Sequence, residues 1–414
     1  MTSPVRRRAF FAAAGILVMS LLLAGQALGA LAVAEDTIGG VRVADDPALL
    51  GTGPAVAMPA GVLWTGAGRP LWERQADDQR AMASTTKIMT AVVVLDAAAP
   101  DDLVTISAAA AKVGESEVGL VAGEKLSVRQ LLEATLVHSG NDAAFALAEH
   151  VAGSEEAFVA LMNEKAAELG LTHTSFANPH GLDEPGHHTS ARDLAALSVY
   201  AMKDPTFAEI VGDDEIVLTV GGARREYESS NKLLGTYEGA TGIKTGWTND
   251  AGYCVVASAK RGGIDLMAVV MGTKSESDRF AQARTLLDWG FEHYAVRQLS
   301  SADETAAVVA VADYLDVTIP AVVGETTSTP VFDLAGALES RIEVAPEVEA
   351  PVSAGDRLGT LTVSQGGQVL AEVPIVAAHD VRKPDFLRAV GIWFTRVWRT
   401  MFGGQLVAEP VVVM

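Results

Sequence analysis

Ser84-Thr85-Thr86-Lys87 leads directly into the apolar run Ile88-Met89-Thr90-Ala91-Val92-Val93-Val94-Leu95. The run is apolar on every side, which predicts a buried helix, and Pro100 marks its end. Residues three apart share a helix face, so Ser84 and Lys87 can bring a hydroxyl beside an amine. A serine needs a base to become a nucleophile, and burial or a nearby cation favours the neutral form of a lysine. We therefore predict that Ser84 is a nucleophile and that Lys87 is its base.

Two further short motifs lie downstream, Ser139-Gly140-Asn141 and Lys244-Thr245-Gly246. Each triplet is common by itself, but the three motifs in this order describe a penicillin-recognising acyl-transferase site. We expect Ser139 and Asn141, at the start of a helix, to relay a proton to the leaving group and to hold the substrate amide. A second Ser-x-x-Lys pattern, Ser229-Ser230-Asn231-Lys232, precedes no apolar helix, so we set it aside.

The third motif is predicted to bind the substrate. Placed on a strand, Lys244, Thr245 and Gly246 would present a cation and a hydroxyl to a substrate carboxylate. The backbone N–H groups of Ser84 and Trp247 are predicted to form an oxyanion hole, where such donors are worth about 10²–10³ in rate each.

No metal or other cofactor is expected. His180, His187 and His188 cluster in the sequence but lack the H-E-x-x-H spacing of a zinc site. A Ser-His-Asp triad through His138 and Ser139 is disfavoured, because adjacent side chains project in different directions. The single cysteine, Cys254, lies within a predicted strand and is expected to be a small buried residue.

The order of elements predicts an α+β fold for residues 59–297, after a lead-in linker at 35–58. Ser127-Val128-Arg129-Gln130 has the capping-box pattern of a helix start, and further helical segments follow it. From Gly242 the pattern changes to strands joined by hairpin signals, and a helix from about Ser277 to His293 closes the unit. An antiparallel sheet flanked by helices is therefore expected.

Beyond residue 300 the chain predicts a small all-β domain at 300–380, an amphipathic helix at 384–403 and a tail at 404–414. Arg388, Thr395, Arg396 and Arg399 fall on one side of the helix. The other side carries Val390, Trp393, Phe394, Val397, Trp398 and Met401. A cationic face backed by tryptophans is typical of a helix on a membrane surface, and its charges argue against a transmembrane span.

The N-terminus predicts export. Residues 1–34 combine Arg6, Arg7 and Arg8 with a long apolar stretch and small-residue exits, as a signal peptide does. Cleavage of this segment and its retention as an anchor both stay open. The 414-residue chain carries a net charge of −21 without a basic patch outside its termini, so nucleic acid is not an expected partner. We expect an exported protein, associated with the outer face of the cytoplasmic membrane.

With these residues in view, the chain resembles the D-alanyl-D-alanine carboxypeptidase family of low-molecular-mass penicillin-binding proteins. The resemblance spans roughly residues 58–297 and includes segments outside the three motifs. These segments are Leu136 to Ala144, Met162-Asn163, Leu169-Gly170, Gly181-Leu182, Thr189 to Ala195, Asn231 to Leu234 and Gly242 to Thr248.

The resemblance implies a β-lactamase/transpeptidase-like catalytic domain. Members of the family remove the terminal D-alanine from peptidoglycan stem pentapeptides through a serine acyl-enzyme, and β-lactams trap that serine. Several also carry a C-terminal β domain and an amphipathic anchor helix. Three alternatives stay open: a DD-endopeptidase, a class A-like β-lactamase and an inert cell-wall-binding module. The β-lactamase is disfavoured because no E-x-x-L-N deacylation motif is present.

Overall fold

The computed structural model describes residues 36–404, 406–408 and 411–413, and it divides into two units between His293 and Tyr294. The signal segment predicted at residues 1–34 lies outside the described residues. Residues 294–297, which the sequence analysis assigns to the first domain, belong to a strand of the second unit. Their strand pairs with Thr327–Phe332, which explains the assignment.

In the first unit, a block of helices lies in the sequence between the early strands and the late strands. Its strands are β1 (Thr37–Ile38), β2 (Val41–Arg42), β3 (Ala60–Thr65), β4 (Pro70–Arg74), β5 (Leu103–Thr105), β6 (Lys125–Ser127), β7 (Glu215–Val220), β8 (Ala223–Glu228), β9 (Ala240–Thr248), β10 (Gly252–Arg261) and β11 (Ile264–Thr273). Its α-helices are α1 (Lys87–Ala97), α2 (Val128–Glu133), α3 (Asn141–Ala152), α4 (Glu155–Glu168), α5 (Ala191–Ala201), α6 (Pro205–Val211) and α7 (Glu276–His293).

Seven strands form one antiparallel sheet in the order β2-β1-β4-β3-β11-β10-β9. The predicted hairpins are confirmed, since β9 pairs with β10 and β10 with β11 in sequence order. The lead-in segment is not a free linker, because β1 pairs with β4 and the Asp36 carboxylate binds the Arg74 guanidinium through two hydrogen bonds. The third motif, residues 244–246, lies on β9, which is an edge strand of this sheet.

The helical layer is built around α1, the predicted apolar helix. Residues 87–94 of this helix are all buried. Ser127 caps α2 through the predicted capping box, in which its hydroxyl accepts from Gln130 N–H and the Gln130 side chain accepts from Ser127 N–H. Burial of residues 87–94, most of which are apolar, removes a large hydrophobic area from water and fixes the position of the first turn of the helix.

The second unit is an all-β domain with a terminal helix. Its strands are β12 (Tyr294–Ser300), β13 (Thr305–Val311), β14 (Thr318–Val323), β15 (Thr327–Phe332), β16 (Leu338–Val344), β17 (Glu347–Val348), β18 (Arg357–Gln365), β19 (Gln368–Ala377) and β20 (Val411–Val412), and its helix is α8 (Phe386–Phe402). The main sheet runs β16-β18-β19-β14-β13-β17, and β20 also pairs with β13. Its own apolar core includes Val309, Ile319 and Val373, so the predicted small β domain is confirmed.

Helix α8 is amphipathic as predicted, but its cationic side is used within the unit. Arg396 donates to the backbone oxygens of Ala312 and Tyr314, and the Arg388 guanidinium lies 4.9 Å from the centre of the Tyr314 ring. The apolar side is exposed, with Trp393 61% and Phe394 68% accessible. Across the described part of the chain, no helix has the length and hydropathy that a membrane crossing requires.

Candidate active site

The predicted nucleophile lies on a tight turn and not within the helix itself. Residues Ala83–Thr86 form a 3-10 turn, and Lys87 is the first residue of α1. This geometry places Ser84 Oγ 2.8 Å from Lys87 Nζ. Ala83 has a φ of +48°, a strained value for a residue with a side chain, so the surrounding structure must hold the turn in place.

Lys87 is completely buried, and two other oxygen atoms surround its amine. Nζ lies 2.7 Å from Asn141 Oδ1 and 2.7 Å from the backbone oxygen of His180. Burial, followed by the charge of Lys244, holds the pKa of Lys87 well below its ordinary value, while Asp142 and Glu115 oppose this shift. This shift favours the neutral form of the amine, which is the form that can accept a proton.

The hydrogen-bond partners decide where the lone pair of this neutral amine points. A neutral lysine amine has two hydrogens and one lone pair, and the oxygens of Asn141 and His180 can only accept. Asn141 is oriented for this role because its Nδ2 donates to Gly114 O at 3.1 Å. In the neutral form, donation of the two hydrogens to these oxygens would leave the lone pair facing the Ser84 hydroxyl.

The second motif joins two helical segments. Ser139 follows the π-helical turn Ala134–His138 and has a φ of +76°, and Asn141 begins α3. The backbone N–H of Asn141 donates to Ser116 O at 2.6 Å. The Asp142 carboxylate accepts hydrogen bonds from the backbone of residues 118–120, so the first turn of α3 holds the 114–120 loop beside Lys87.

The third motif lies on β9, which passes in front of the nucleophile turn. A Cβ added to Gly246 would lie 2.8 Å from Ser84 N, so only a glycine allows the strand to approach this closely. Lys244 is buried, and desolvation followed by the charge of Arg279 lowers its pKa to about 7. The Thr245 hydroxyl lies 2.7 Å from the Ser230 hydroxyl, while the Trp247 side chain is half exposed.

The geometry adds residues that the sequence analysis did not select. Arg279 on α7 is buried and donates to Gly246 O at 3.1 Å, which brings a second cation to the third motif. Ser230, part of the pattern that was set aside, contacts Thr245 and not a lysine base. No sequence signal separates Arg279 from the other charged residues of an ordinary helix, because its position is set by sheet and helix packing.

The loop between α4 and α5 forms the back wall of the site. Its backbone supplies His180 O to Lys87, and Pro179 O accepts from the Thr90 hydroxyl at 2.6 Å. Asn178 stabilises the loop through Oδ1, which accepts from Gly181 N–H at 2.7 Å. In this loop the His180 ring contacts Glu155, and the His187 ring contacts Thr86 and Ala177. His188 pairs with Ser175 through its backbone.

A serine hydroxyl beside a buried lysine amine has the arrangement that a serine acyl-transferase requires. The Ser-x-x-Lys, Ser-Gly-Asn and Lys-Thr-Gly motifs meet around this serine, a combination typical of penicillin-recognising enzymes. The chain belongs to the D-alanyl-D-alanine carboxypeptidase family, whose profile matches residues 57–275. A second profile, described as the C-terminal domain of penicillin-binding protein 5, matches residues 294–383.

Relatives of this family cover most of the chain. The D-alanyl-D-alanine carboxypeptidase DacF of Bacillus subtilis is 36% identical over 342 residues, which is 79% of this chain and 87% of DacF. DacC of Escherichia coli, which carries the same activity in its name, is 34% identical over 80% of this chain and 84% of its own length.

Solved structures agree with the sequence relatives. The D-alanyl-D-alanine carboxypeptidase DacD from Francisella tularensis has a TM-score of 0.61 and 28% identity, covering 80% of this chain and 94% of that one. Penicillin-binding protein 6B from Escherichia coli also reaches a TM-score of 0.61, at 30% identity, with 78% and 96% covered. The protein is a serine-type D-alanyl-D-alanine carboxypeptidase, a hydrolase of the cell wall, and the β-lactamase and endopeptidase alternatives are not favoured.

Proposed function

We propose that Ser84 Oγ attacks the carbonyl carbon between the last two D-alanine residues of a peptidoglycan stem pentapeptide. Lys87 takes the hydroxyl proton, the peptide C–N bond breaks, and the terminal D-alanine leaves with a proton returned to its nitrogen. Water then hydrolyses the ester on Ser84. The observation that carries this proposal is the 2.8 Å contact of Ser84 Oγ with the buried Lys87 amine, which also lies 2.7 Å from two oxygens that can only accept.

The other two motifs are assigned by their position around this pair. Asn141 holds the substrate amide and orients Lys87, and Ser139 relays the proton to the leaving nitrogen. The backbone N–H groups of Ser84 and Trp247 stabilise the oxyanion, a contribution of about 10²–10³ in rate for each donor. Support for the oxyanion hole comes from the close approach of β9 to Ser84 N.

The terminal carboxylate of the substrate is bound by Lys244, Thr245 and Gly246. Support comes from Lys244, which is buried, forms no ion pair with a carboxylate of the described residues, and has a pKa lowered to about 7. An arriving carboxylate would favour the charged form of this lysine. Arg279 adds a second positive charge behind Gly246. No metal or cofactor enters the reaction.

The mass of the protein after incubation with benzylpenicillin tests the assignment of the nucleophile. We expect one adduct per chain that maps to Ser84, because a β-lactam opens on the same serine and its acyl-enzyme hydrolyses slowly. The Ser84→Ala variant should stay unmodified. An adduct at another residue would remove Ser84 from its role, and rapid drug turnover would favour the β-lactamase.

We further propose that the protein is exported and that α8 holds it on the outer face of the cytoplasmic membrane. Support comes from the different surroundings of the two sides of this helix. Arg396 and Arg399 bind the β domain through Tyr314 and Asp316, while the apolar side points away from that contact. Exposed aromatic residues on a short amphipathic helix are suited to the boundary between lipid headgroups and acyl chains.

Sedimentation with vesicles of anionic phospholipid tests the membrane proposal. We expect the protein to sediment with the vesicles and the double variant Trp393→Glu/Phe394→Glu to stay in solution. Val369→Glu is the matched control, since Val369 is 53% exposed on the β domain and lies outside α8. Equal vesicle binding by the helix variant and the control would contradict the proposal.

A further inference from the structure

The turn that carries Ser84 is held from behind by a chain of hydrogen bonds. Thr86, within this turn, is fully buried, and its hydroxyl oxygen lies 2.8 Å from Ala83 O and 2.7 Å from His187 Nε2. On the other side of the imidazole ring, the backbone N–H of Ala177 donates to Nδ1 at 3.0 Å. These hydrogen bonds thus connect the back-wall loop to the Ala83 carbonyl, which immediately precedes Ser84.

The groups at the two ends of this series of hydrogen bonds determine which atom donates in each bond. The Ala177 N–H can only donate, so His187 Nδ1 must accept, and the proton of the neutral ring lies on Nε2. Nε2–H then donates to the Thr86 hydroxyl. Thr86 donates onward to Ala83 O, which can only accept. A second proton on the ring would set Nδ1–H against the Ala177 N–H.

The surroundings of His187 also keep its ring neutral. Burial, followed by the charges of His180 and His188, lowers the pKa of His187 to about 4, and Asp183 opposes this shift. The Glu155 carboxylate on α4 contacts His180, with Oε1 3.4 Å from Nε2. The side of the ring toward α1 meets a hydroxyl, Thr86, and not a charge.

Fixing the Ala83 carbonyl also fixes the Ser84 N–H. The peptide bond is planar, and in its trans form the C=O and N–H of one unit point in opposite directions. The carbonyl is drawn toward Thr86 behind the turn, so the N–H points forward. Strand β9 passes close to this nitrogen, since a Cβ on Gly246 would lie 2.8 Å from Ser84 N.

We propose that His187 is a positioning residue, which acts through Thr86 to aim the Ser84 N–H at the oxyanion of the transition state. The inference rests on the proposed role of Ser84 and deepens it. An oxyanion donor acts mainly in the transition state, so its misalignment should lower kcat and leave KM nearly unchanged. Loss of one such donor costs about 10²–10³ in kcat, and a rotated donor should cost about 10².

The test compares kcat and KM for D-alanine release from a D-Ala-D-Ala peptide in His187→Leu, His187→Gln and Thr86→Val. Leucine has a similar volume but neither acceptor nor donor, so we expect kcat to fall about 100-fold with KM within about threefold. Glutamine offers an oxygen to Ala177 N–H and an N–H to Thr86, and it should restore kcat to within about fivefold. His173→Leu, in the same loop, is the matched control and should match the wild type, because its half-exposed ring contacts Asp77.

The outcomes separate this inference from the proposed function. Loss of kcat in His187→Leu without rescue by glutamine would overturn the inference, as would a kcat within about threefold of the wild type. If His187→Leu does not fold, Thr86→Val decides, and an unchanged kcat in that variant overturns the inference. The wild-type penicillin adduct, mapped in parallel, tests Ser84 itself whatever these variants do.

Discussion

Replacing Gly181 by alanine should displace the nucleophile without touching it chemically. Gly181 has a φ of +95°, and a Cβ there would lie 2.1 Å from Ala83 O and 2.8 Å from Ser84 N. Real Cβ atoms essentially never approach within 3.0 Å, so the turn and the back-wall loop must separate by about 1 Å. A misplacement of this size at a reacting group costs about 10²-fold in rate.

Gly186 provides the matched control within the same loop. Its φ is +84°, and a Cβ there would meet nothing within 4 Å. Both substitutions introduce alanine into the left-handed region, at a cost of about 1–2 kcal/mol each, but only Gly181→Ala also meets the nucleophile turn. The difference between the two variants therefore isolates the displacement of Ser84 from backbone strain.

The assay is the second-order rate of acylation by a fluorescent penicillin, measured together with thermal unfolding. We expect Gly186→Ala to acylate within about threefold of the wild type and Gly181→Ala to acylate about 100-fold more slowly. Both variants should unfold at a lower temperature than the wild type. Equal acylation rates in the two variants would refute the reasoning, because the turn would then not depend on Gly181 for its position.

Three further predictions concern the charged groups of the site. Lys87→Ala should lower the acylation rate by about 10²–10⁴-fold and keep the fold, as circular dichroism would show; near-normal acylation would remove Lys87 as the base. Lys244 is charged below its pKa of about 7 and neutral above it, so kcat/KM for a substrate with a free terminal carboxylate should fall as pH rises through 7. A substrate whose terminal carboxylate is converted to an amide should lack this decline, and a decline of equal size would assign it to another group. Asp142→Ala should lower the free energy of unfolding by about 3 kcal/mol, because it leaves loop N–H groups unpaired, while Asp142→Asn should lose less; chemical denaturation measures both, and an unchanged stability would contradict the loop-anchoring role.

The sequence predicted those parts of the site that depend on local spacing. The Ser84–Lys87 pair, the buried helix α1 and the β9–β10–β11 meander follow from side-chain periodicity and turn residues. The 3-10 form of the nucleophile turn was not predicted, because Ala83 adopts a positive φ that only its tertiary contacts can hold. Arg279 was missed for a similar reason, since its place behind Gly246 depends on how α7 packs on the sheet.

The sequence also predicts the amphipathic pattern of α8, but it does not predict the contacts of its cationic side with the β domain. The arrangement of cationic and aromatic residues predicts a membrane-surface helix from composition alone. The helical periodicity does not predict that Arg388 stacks on Tyr314 or that Arg396 binds the backbone of the β domain. These contacts join residues more than 70 positions apart in the sequence. No helical period contains that information.

In the proposed mechanism, the reactivity of Ser84 depends on three segments that meet at the Lys87 amine. Gly114 O orients the Asn141 amide, Asn141 Oδ1 and His180 O take the two Lys87 hydrogens, and the remaining lone pair faces the serine. If any one of these segments moved, a Lys87 hydrogen would lose its acceptor and could turn toward Ser84, which would point a donor where the base must accept. The proposed activation of Ser84 therefore requires the fold of the first unit and not the Ser-x-x-Lys motif alone.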